Sequence, residues 1–362
     1  MRAELKRCSE ARLAVNATAL AALIVLMFPG NAPAQGKWVK LAPFPEPAFE
    51  IAGATVNGKI YVFGGLPSGG QTTPPGLVYE YDPGANQWTK RKPMPLPAHH
   101  IAAAEYRGKV YLFGGGIQKE AGESNWFPSD HAWEYDPAAD SWKALAPMPT
   151  KRGAAVAAEV GGKIYVIGGA GLHPGAKEAA LSPSQPHRSL GANEAYDPAT
   201  NTWQTRSPMP TARNHAAIGA VNGKIYVLGG RVASPFIGGD ASNTDVVEEY
   251  DPATGSWGAL RARMLTARSG VGFGTYGGRI YLVGGEFQNR AMAGVFRDLE
   301  AYDPAANQWI TLPSVPLARQ GVGSAVIGNR FHVISGRLQS GGVGPGQAAN
   351  YDSHDAFEIT DK

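Results

Sequence analysis

The stretch at 58–65, "GKIYVFGG", decides the fold, because five further copies of it follow along the chain. The copies read "GKVYLFGG" at 108, "GKIYVIGG" at 162, "GKIYVLGG" at 223, "GRIYLVGG" at 278 and "NRFHVISG" at 329. Each is a short apolar strand that ends in small residues. A motif that returns at a period of this length predicts a repeat architecture, in which every repeat is one structural unit.

Each repeat contains four short strands, which we call a to d. Strand a precedes the quoted motif, the motif contains strand b, and a variable loop leads to strand c, which ends in Asp-Pro in the first five repeats. Proline cannot donate to a strand ladder, so Asp-Pro predicts a turn before strand d. Strand d carries a tryptophan, and the six tryptophans are Trp38, Trp88, Trp142, Trp203, Trp257 and Trp309. No segment of 35–362 shows a helical apolar stripe, so the chain is predicted to be all-β.

Four-stranded sheets that repeat about every 50 residues favour a β-propeller, because radial packing covers both faces of each sheet. The paired glycines fit this interpretation. They are expected to remove Cβ atoms where blades crowd together, so that rings such as those of Tyr226 and Trp257 can lie against the backbone. Flexible linkers would not keep a fixed distance from the preceding tyrosine.

The repeats resemble the Kelch repeat, over essentially all of 37–360. The resemblance lies in the double glycine after an apolar strand, the tyrosine inside that strand and the tryptophan after Asp-Pro. The sixth copy departs from the pattern, with Ser335 and His332 in place of glycine and tyrosine and with no tryptophan after it. Trp38 precedes the first strand a and has no blade of its own. Residues 37–41 are therefore predicted to form strand d of blade six and to close a six-bladed propeller, as in many Kelch propellers.

The first 34 residues are predicted to be a signal peptide, and 35–362 one propeller domain. A basic start, the apolar run "ATALAALIVLMF" at 17–28 and "APA" at 32–34 have the order of a secretory signal. The run is short for a membrane span, although an uncleaved anchor is the alternative. This predicts a periplasmic or secreted protein without membrane insertion after signal removal. Cys8 is the only cysteine, so the domain cannot depend on disulfides.

The charge balance excludes one class of partner. The chain has 33 Lys and Arg against 30 Asp and Glu, a net charge of +3. A nucleic-acid-binding domain usually has a clear basic excess, which this chain lacks. Nucleic acid is therefore not expected as a partner.

One rim of the propeller is predicted to carry the binding residues. In an antiparallel a–b hairpin, the start of strand a lies beside the end of strand b. The residues that follow strand b are Leu66, Gly116, Ala170, Arg231, Glu286 and Arg337. With the starts of the a strands they give a polar set of candidate residues: Glu50, His99, His100, His215, Arg231, Glu286 and Arg337. In ligand-binding members of the Kelch family, acidic peptides contact the residues that match Asn214, Ser269, Gln320 and Arg231. The resemblance therefore implies that this rim is the binding face.

Several of these residues have a structural interpretation as well as a functional one. Arginines recur at the start of strand a, at Arg152, Arg213, Arg268 and Arg319, and a recurring residue favours a fixture of the repeat. His99 and His100 are adjacent, and neighbours on a strand point to opposite faces, so no metal site is expected from them. Trp126 lies in the loop "GESNWFPSD", where its ring either stacks on a sugar or packs under its own loop.

Several enzyme classes are excluded by missing motifs. No "GxxxxGK[ST]" follows a glycine pair and no "GxSxG" occurs, which excludes a phosphate-binding P-loop and a nucleophile elbow. Copper radical oxidases that share Kelch repeats need a cysteine that 35–362 lacks, and the Glu, Asp and His motif of the iron-binding plant Kelch specifier proteins is absent. No cofactor is expected.

The sequence favours an exported propeller that binds a saccharide or polypeptide ligand on its loop-bearing rim. The alternative is a sugar mutarotase, because exported bacterial Kelch proteins include the sialic acid mutarotases, which the chain resembles in its repeats and in "GGE" at 284–286. In that case Glu286 is the catalytic acid or base, and Arg231 and Arg337 hold the sugar carboxylate. A scaffold without a small-molecule site is the third interpretation, because fold alone does not give function.

Overall fold

The computed structural model describes residues 36–67, 73–120, 127–172, 188–233, 241–288, 293–340 and 351–360. Those residues form strands and turns. None of them belongs to a helix that is long and apolar enough to cross a membrane. Trp126 lies outside the described residues.

The strands of the first three repeats, in chain order, are β1 (Lys37–Lys40), β2 (Ala48–Phe49), β3 (Ala52–Val56), β4 (Lys59–Phe63), β5 (Leu66–Pro67), β6 (Val78–Asp82), β7 (Gln87–Lys90), β8 (Ala102–Tyr106), β9 (Lys109–Phe113), β10 (Gly116–Ile117), β11 (Phe127–Pro128), β12 (Ala132–Asp136), β13 (Ser141–Ala144), β14 (Val156–Val160), β15 (Lys163–Ile167), β16 (Ala170–Gly171), β17 (Arg188–Ser189), β18 (Asn193–Asp197) and β19 (Thr202–Thr205). Those of the last three are β20 (Ala217–Val221), β21 (Lys224–Leu228), β22 (Arg231–Ala233), β23 (Ala241–Asn243), β24 (Val247–Asp251), β25 (Ser256–Trp257), β26 (Gly272–Tyr276), β27 (Arg279–Val283), β28 (Glu286–Gln288), β29 (Ala293–Val295), β30 (Leu299–Asp303), β31 (Gln308–Leu312), β32 (Gly323–Ile327), β33 (Arg330–Ile334) and β34 (His354–Glu358).

The strands form six antiparallel four-stranded blades in a ring, so the predicted propeller is confirmed. From strand a to strand d, the blades are β3-β4-β6-β7, β8-β9-β12-β13, β14-β15-β18-β19, β20-β21-β24-β25, β26-β27-β30-β31 and β32-β33-β34-β1. Each strand a contacts the a strands of the two neighbouring blades, and β3 contacts β32 as well as β8. Short two-stranded pairs, such as β22-β23 and β28-β29, extend one side of the blades.

The first strand closes the ring, as the position of Trp38 predicts. Strand β1 pairs antiparallel with β34, with Lys37 opposite Glu358 and Trp38 opposite Phe357. The Trp38 ring also lies 5.3 Å from the Phe357 ring. The sixth blade therefore takes its outer strand from the other end of the described chain.

Every blade interface has its own apolar core. The six buried clusters each combine residues of two neighbouring blades. The blade tryptophan packs at the edge of such a cluster, and its indole Nε1 donates to a backbone carbonyl after strand d of the preceding blade. These six bonds are 2.8–3.2 Å long and run from Trp38 to Pro313, Trp88 to Ala42, Trp142 to Lys92, Trp203 to Ala146, Trp257 to Ser207 and Trp309 to Ala262.

The glycine pairs bring each blade against the next one, but their neighbour differs from the expected aromatic rings. Gly114 has φ +63°, and a Cβ built on it would lie 2.3 Å from the carbonyl oxygen of Arg152 in the next blade. Gly115 N donates to that same oxygen at 3.0 Å. The close partner is thus the neighbouring backbone. In the sixth copy Ser335 Oγ donates to Ala48 O at 2.7 Å, at the corresponding contact.

The recurring arginines are structural, in agreement with the repeat interpretation. Their side chains are fully buried, and each pairs with an acidic residue of strand c in its own blade. Arg152 donates to Glu194 at 2.6 Å and also to the carbonyl of Val166 at 3.0 Å. The other pairs are Arg213 with Glu248, Arg268 with Glu300 and Arg319 with Asp355. These arginines hold strands a, b and c together and do not reach a surface.

Candidate functional site

Six equivalent residues, one from each blade, form a closed ring of backbone hydrogen bonds around the axis. We call them the inner ring: Glu50, His100, Ala154, His215, Gly270 and Gly321. All six have left-handed φ angles of 52–64°. The backbone N–H of each residue donates to the carbonyl of its counterpart in the preceding blade at 2.7–3.1 Å, and the bond from Glu50 to Gly321 completes the circle.

The inner ring contributes to the lining of a cavity on the axis of the propeller. The a strands supply the rest of the lining, much of it alanine and glycine, and the cavity has a volume of ≈ 490 Å³. Because strand a begins two residues after the inner ring in every blade, the ring lies at one end of the cavity. Side chains on the inner ring therefore line that end of the cavity.

Three inner-ring side chains converge on the axis. Ligand atoms of Glu50, His100 and His215 all lie within 4.8 Å of one another. Glu50 Oε2 is 3.2 Å from His100 Nε2, and the imidazole rings of His100 and His215 meet edge to face at 4.8 Å. The small side chain of Ala154 separates the two histidines along the ring. The Glu50 carboxylate leans over Gly321, where a built Cβ would lie 3.1 Å from Oε1.

Each of the two histidines is held by the side chain of the residue before it. His215 Nδ1 bonds to Asn214 Oδ1, and Asn214 Nδ2 donates to Ser189 Oγ at 2.8 Å. His100 Nδ1 contacts Nδ1 of the fully buried His99. The expectation that His99 and His100 point to opposite faces is wrong, because the φ of +56° at His100 takes it out of extended conformation.

Next to the inner ring, the residues just before strand a pair with the residues just after strand b of the same blade. Isolated bridges join His99 with Gly116, Asn214 with Arg231, Ser269 with Glu286 and Gln320 with Arg337. The start of strand a therefore meets the end of strand b, as predicted. We call these side chains, together with Glu50, His100 and His215, the rim site.

Glu286 is buried in a network that reaches the preceding blade. Its Oε1 accepts a 2.5 Å bond from Arg231, its Oε2 accepts a 2.9 Å bond from Ser340, and its backbone carbonyl accepts one from Asn243 at 2.6 Å. The Glu286 residue is only 2% exposed. The charge of Arg231 is thus balanced inside the protein.

Arg337 differs from Arg231. Its guanidinium lies 5.0 Å from the Phe49 ring, is half-buried, and forms no ion pair or side-chain hydrogen bond with the part of the chain that the structure describes. Two buried polar atoms of the rim site, Ser269 Oγ and Gln320 Oε1, also find no partner within the described ranges. Buried polar atoms are nearly always hydrogen-bonded, so the Ser269 and Gln320 oxygens are available to bond to a ligand or to water.

Burial dominates the electrostatics of the rim site. Burial, with the nearby charge of Glu286, raises the pKa of Glu50 to about 8. Burial lowers the pKa of His99 to about 3, so its imidazole is neutral. Burial also lowers the pKa of Arg337, and the carboxylates of Glu286 and Glu50 oppose that shift. A carboxyl group with a pKa close to neutrality can act as an acid or a base.

The structure brings together all of the described residues that the sequence singled out for the rim. Three residues that no sequence pattern singles out, Ser189, Asn243 and Ser340, support the site from the variable loops. Those loops follow no repeat pattern, so no signal in the sequence assigns them a position. The proposed role of Trp126 stays a prediction.

The chain matches family models of repeat domains over most of its length. Residues 34–230 match the KLHDC2/KLHL20/DRC7 Kelch-repeats domain, and residues 212–257 and 267–316 match the Kelch motif.

Curated relatives are similar over parts of their length. Kelch-like protein terF of Aspergillus terreus is 30% identical over 308 residues, which are 84% of this chain and 53% of that protein. Kelch-like protein 36 of Rattus norvegicus is 28% identical over 80% of this chain and 44% of its own length. Kelch-like protein 35 of Mus musculus is 28% identical over 59% of this chain and 32% of its own length. The chain thus spans about half or less of these relatives.

A solved structure shares the fold. The structure of YjhT superimposes with a TM-score of 0.68 and covers 86% of this chain and 95% of its own. The sequence identity is 19%, so the similarity shows the architecture alone.

Proposed function

Because the chain belongs to the Kelch-repeat family of β-propellers, we propose that it binds a carboxylate-bearing ligand, an acidic saccharide or polypeptide, at the rim site. Kelch-like relatives match over the propeller, which is consistent with protein or ligand binding. The ligand class follows from the charges of this chain's own rim residues.

Arg337 is the observation that carries this proposal. The neighbouring Arg231 is neutralised by Glu286, whereas Arg337 lacks an acidic hydrogen-bond partner in the described residues. A guanidinium prefers paired hydrogen bonds to a carboxylate, and the nearby Ser269 and Gln320 supply a hydroxyl and an amide for further polar groups of the ligand. The stack on Phe49 fixes the guanidinium plane, which lowers the entropy lost on binding.

Calorimetric titration of the purified protein tests the proposal with four ligands: N-acetylneuraminic acid, glucuronic acid, glucose and an Asp/Glu-rich peptide. We expect at least one acidic ligand to bind and glucose to bind weakly or not at all. Arg337→Gln should weaken that binding by about 10- to 100-fold, the size of a lost charge-assisted hydrogen bond.

Arg107→Gln is the matched control. Arg107 also lies 5.0 Å from an aromatic ring, that of Tyr106, but it is in the a–b turn at the opposite end of its blade. The Arg107→Gln variant should bind the acidic ligand as tightly as the wild type does. If no acidic ligand binds, or if both variants bind as the wild type does, the rim is not a carboxylate site.

A sugar mutarotase is the second candidate, and the contact between Glu50 and His100 favours it. Anomer exchange needs an acid and a base within hydrogen-bond reach of the sugar, and these two groups are 3.2 Å apart. Both Glu286 oxygens are already engaged by Arg231 and Ser340, so Glu50 is the better proton donor. NMR of N-acetylneuraminic acid in the titration samples distinguishes the candidates, because only an enzyme accelerates anomer exchange.

Export is also part of this proposal. The order of basic, apolar and small residues in 1–34 supports a cleaved signal peptide. Protein isolated from the cell envelope is expected to have an intact mass that begins at Gln35. A mass that includes Met1, in a membrane fraction, would support an anchor instead.

A further inference from the structure

Three inner-ring positions have large side chains, although glycine would adopt the same left-handed backbone at a lower conformational free energy. Residues other than glycine lose about 1–2 kcal/mol in the left-handed region, and blades five and six avoid that loss with Gly270 and Gly321. Glu50, His100 and His215 have φ angles of 52–56° and are therefore strained. Strained residues that persist in a structure cluster at functional sites.

These strained residues are also the ones whose side chains meet at the axis. Zinc is commonly bound by two histidines and a glutamate, with bonds of about 2.0–2.2 Å, so tetrahedral ligand atoms are about 3.3 Å apart. Glu50 Oε2 and His100 Nε2 already have this spacing, at 3.2 Å. The complete set lies within 4.8 Å, so a small rotation of one side chain suffices to surround an ion.

The partners of the histidines have the arrangement of a second coordination shell. An amide oxygen only accepts hydrogen bonds, so Asn214 Oδ1 requires the proton of His215 on Nδ1 and leaves the lone pair on Nε2. Ser189 fixes the orientation of this amide through the Asn214 Nδ2 bond. His99 contacts His100 Nδ1 in the corresponding position, and the His100 Nε2 faces Glu50. Such outer contacts orient metal-binding histidines.

We propose that Glu50, His100 and His215 bind one divalent transition-metal ion of the zinc type on the propeller axis. Two imidazoles favour such an ion over Mg²⁺ or Ca²⁺, which prefer oxygen ligands. Three protein ligands leave a fourth position for water or for an anionic ligand at the rim. Arg337 lies near Glu50, and an anion would offset the charge of this guanidinium and that of the ion. The metal site does not depend on the proposed ligand.

Zinc titration of the full, chelator-stripped protein tests this inference. We expect one tightly bound zinc per chain by elemental analysis after desalting, and an increase in Tm on zinc addition. Cobalt(II) should give the intense visible absorption of a tetrahedral ion. A zinc content far below one per chain at micromolar free zinc would overturn the proposal.

His100→Gly and His215→Gly are the decisive variants, because glycine occupies the same ring position in blades five and six. Both variants should fold, and without zinc their Tm should equal or exceed that of the wild type, since strain is relieved. Each should lose at least 100-fold in zinc affinity, together with the zinc-dependent increase in Tm and the cobalt spectrum. Unchanged zinc affinity in both variants would refute the site.

Two further variants separate ligation from nonspecific binding. Asn214→Ala should weaken zinc binding by about 10- to 100-fold, as expected for an outer-shell contact. His131→Ala removes an exposed histidine outside the rim site and should leave zinc affinity unchanged. If His131→Ala weakens binding as much as His215→Gly does, the zinc is held by surface histidines and the axial site is wrong.

Discussion

The first glycine of each pair is where blade packing is decided at the scale of single residues. It leaves space for a carbonyl of the next blade, and the second glycine donates to that carbonyl. A side chain at the first position would therefore press on the next blade as well as strain one turn, unless it donates to that carbonyl, as Ser335 does in the sixth copy. Other left-handed glycines, such as Gly58 in the a–b turn, have nothing within 4 Å of a built Cβ.

Gly114→Ala and Gly58→Ala separate these two effects. Both place alanine in the left-handed region, at φ +63° and +76°, which costs about 1 kcal/mol. Only Gly114→Ala also forces a Cβ against the Arg152 carbonyl, so overpacking should add about 1–3 kcal/mol. Urea unfolding measures both free energies. Equal losses in the two variants would show that the blades adjust freely around the glycine pair.

The spacing of the repeats predicts which rim residues pair across a blade, but it does not predict which side chains meet at the axis. The pairs of Asn214 with Arg231 and of Ser269 with Glu286 follow from strand register alone. The convergence of Glu50, His100 and His215 does not, because it depends on left-handed backbone that breaks the alternation of a strand. The pairing of Glu286 with Arg231 joins two blades, and sequence within one blade gives no distance between them.

At the scale of the element, the sixth blade combines two irregular features. Its outer strand is β1, as predicted from Trp38, the tryptophan with no blade of its own. Its strand b carries His332 where the other blades have tyrosine. His332 Nδ1 bonds to His354 Nε2 at 2.9 Å, and His354 Nδ1 donates to Ala42 O, just beyond β1. Two neutral imidazoles therefore link strands b and c to the closing segment.

This pair predicts a loss of stability in acid. Burial lowers the pKa of His332 to about 4 and that of His354 to about 3. In the unfolded chain these histidines gain protons below about pH 6.5, but in the folded protein they stay neutral to a lower pH. Their contribution to stability is therefore fully present above pH 6.5 and decreases as the pH drops towards 4. Relative to pH 7, one such histidine lowers the free energy of unfolding at pH 5 by about 2 kcal/mol.

His332→Tyr restores the repeat residue and removes one of these titrations. Thermal or urea unfolding between pH 4.5 and 7.5 should show a smaller acid loss in the variant than in the wild type, by roughly 2 kcal/mol at pH 5. His131→Tyr, which changes an exposed histidine, should follow the wild-type curve. Parallel curves for all three proteins would assign the acid sensitivity to other groups.

At the scale of the whole molecule, three circles of hydrogen bonds join the blades. The inner ring forms the first, the second glycines with the carbonyls at the start of strand a form the second, and the tryptophan indoles form the third. Each circle is completed between blades six and one, by Glu50 with Gly321, by Gly336 with Ala48 and by Trp88 with Ala42. No blade interface lacks these bonds, so the closing interface is built like the other five.

The pairing of β1 with β34 also sets how the ring responds to a mechanical load. Lys37 and Glu358 are directly opposite each other, at the same end of the strand pair. Tension applied at these two residues would peel the ladder open one residue pair at a time, starting from Lys37, instead of shearing all of its bonds at once. The propeller is therefore weak against a pull that is applied at these two residues.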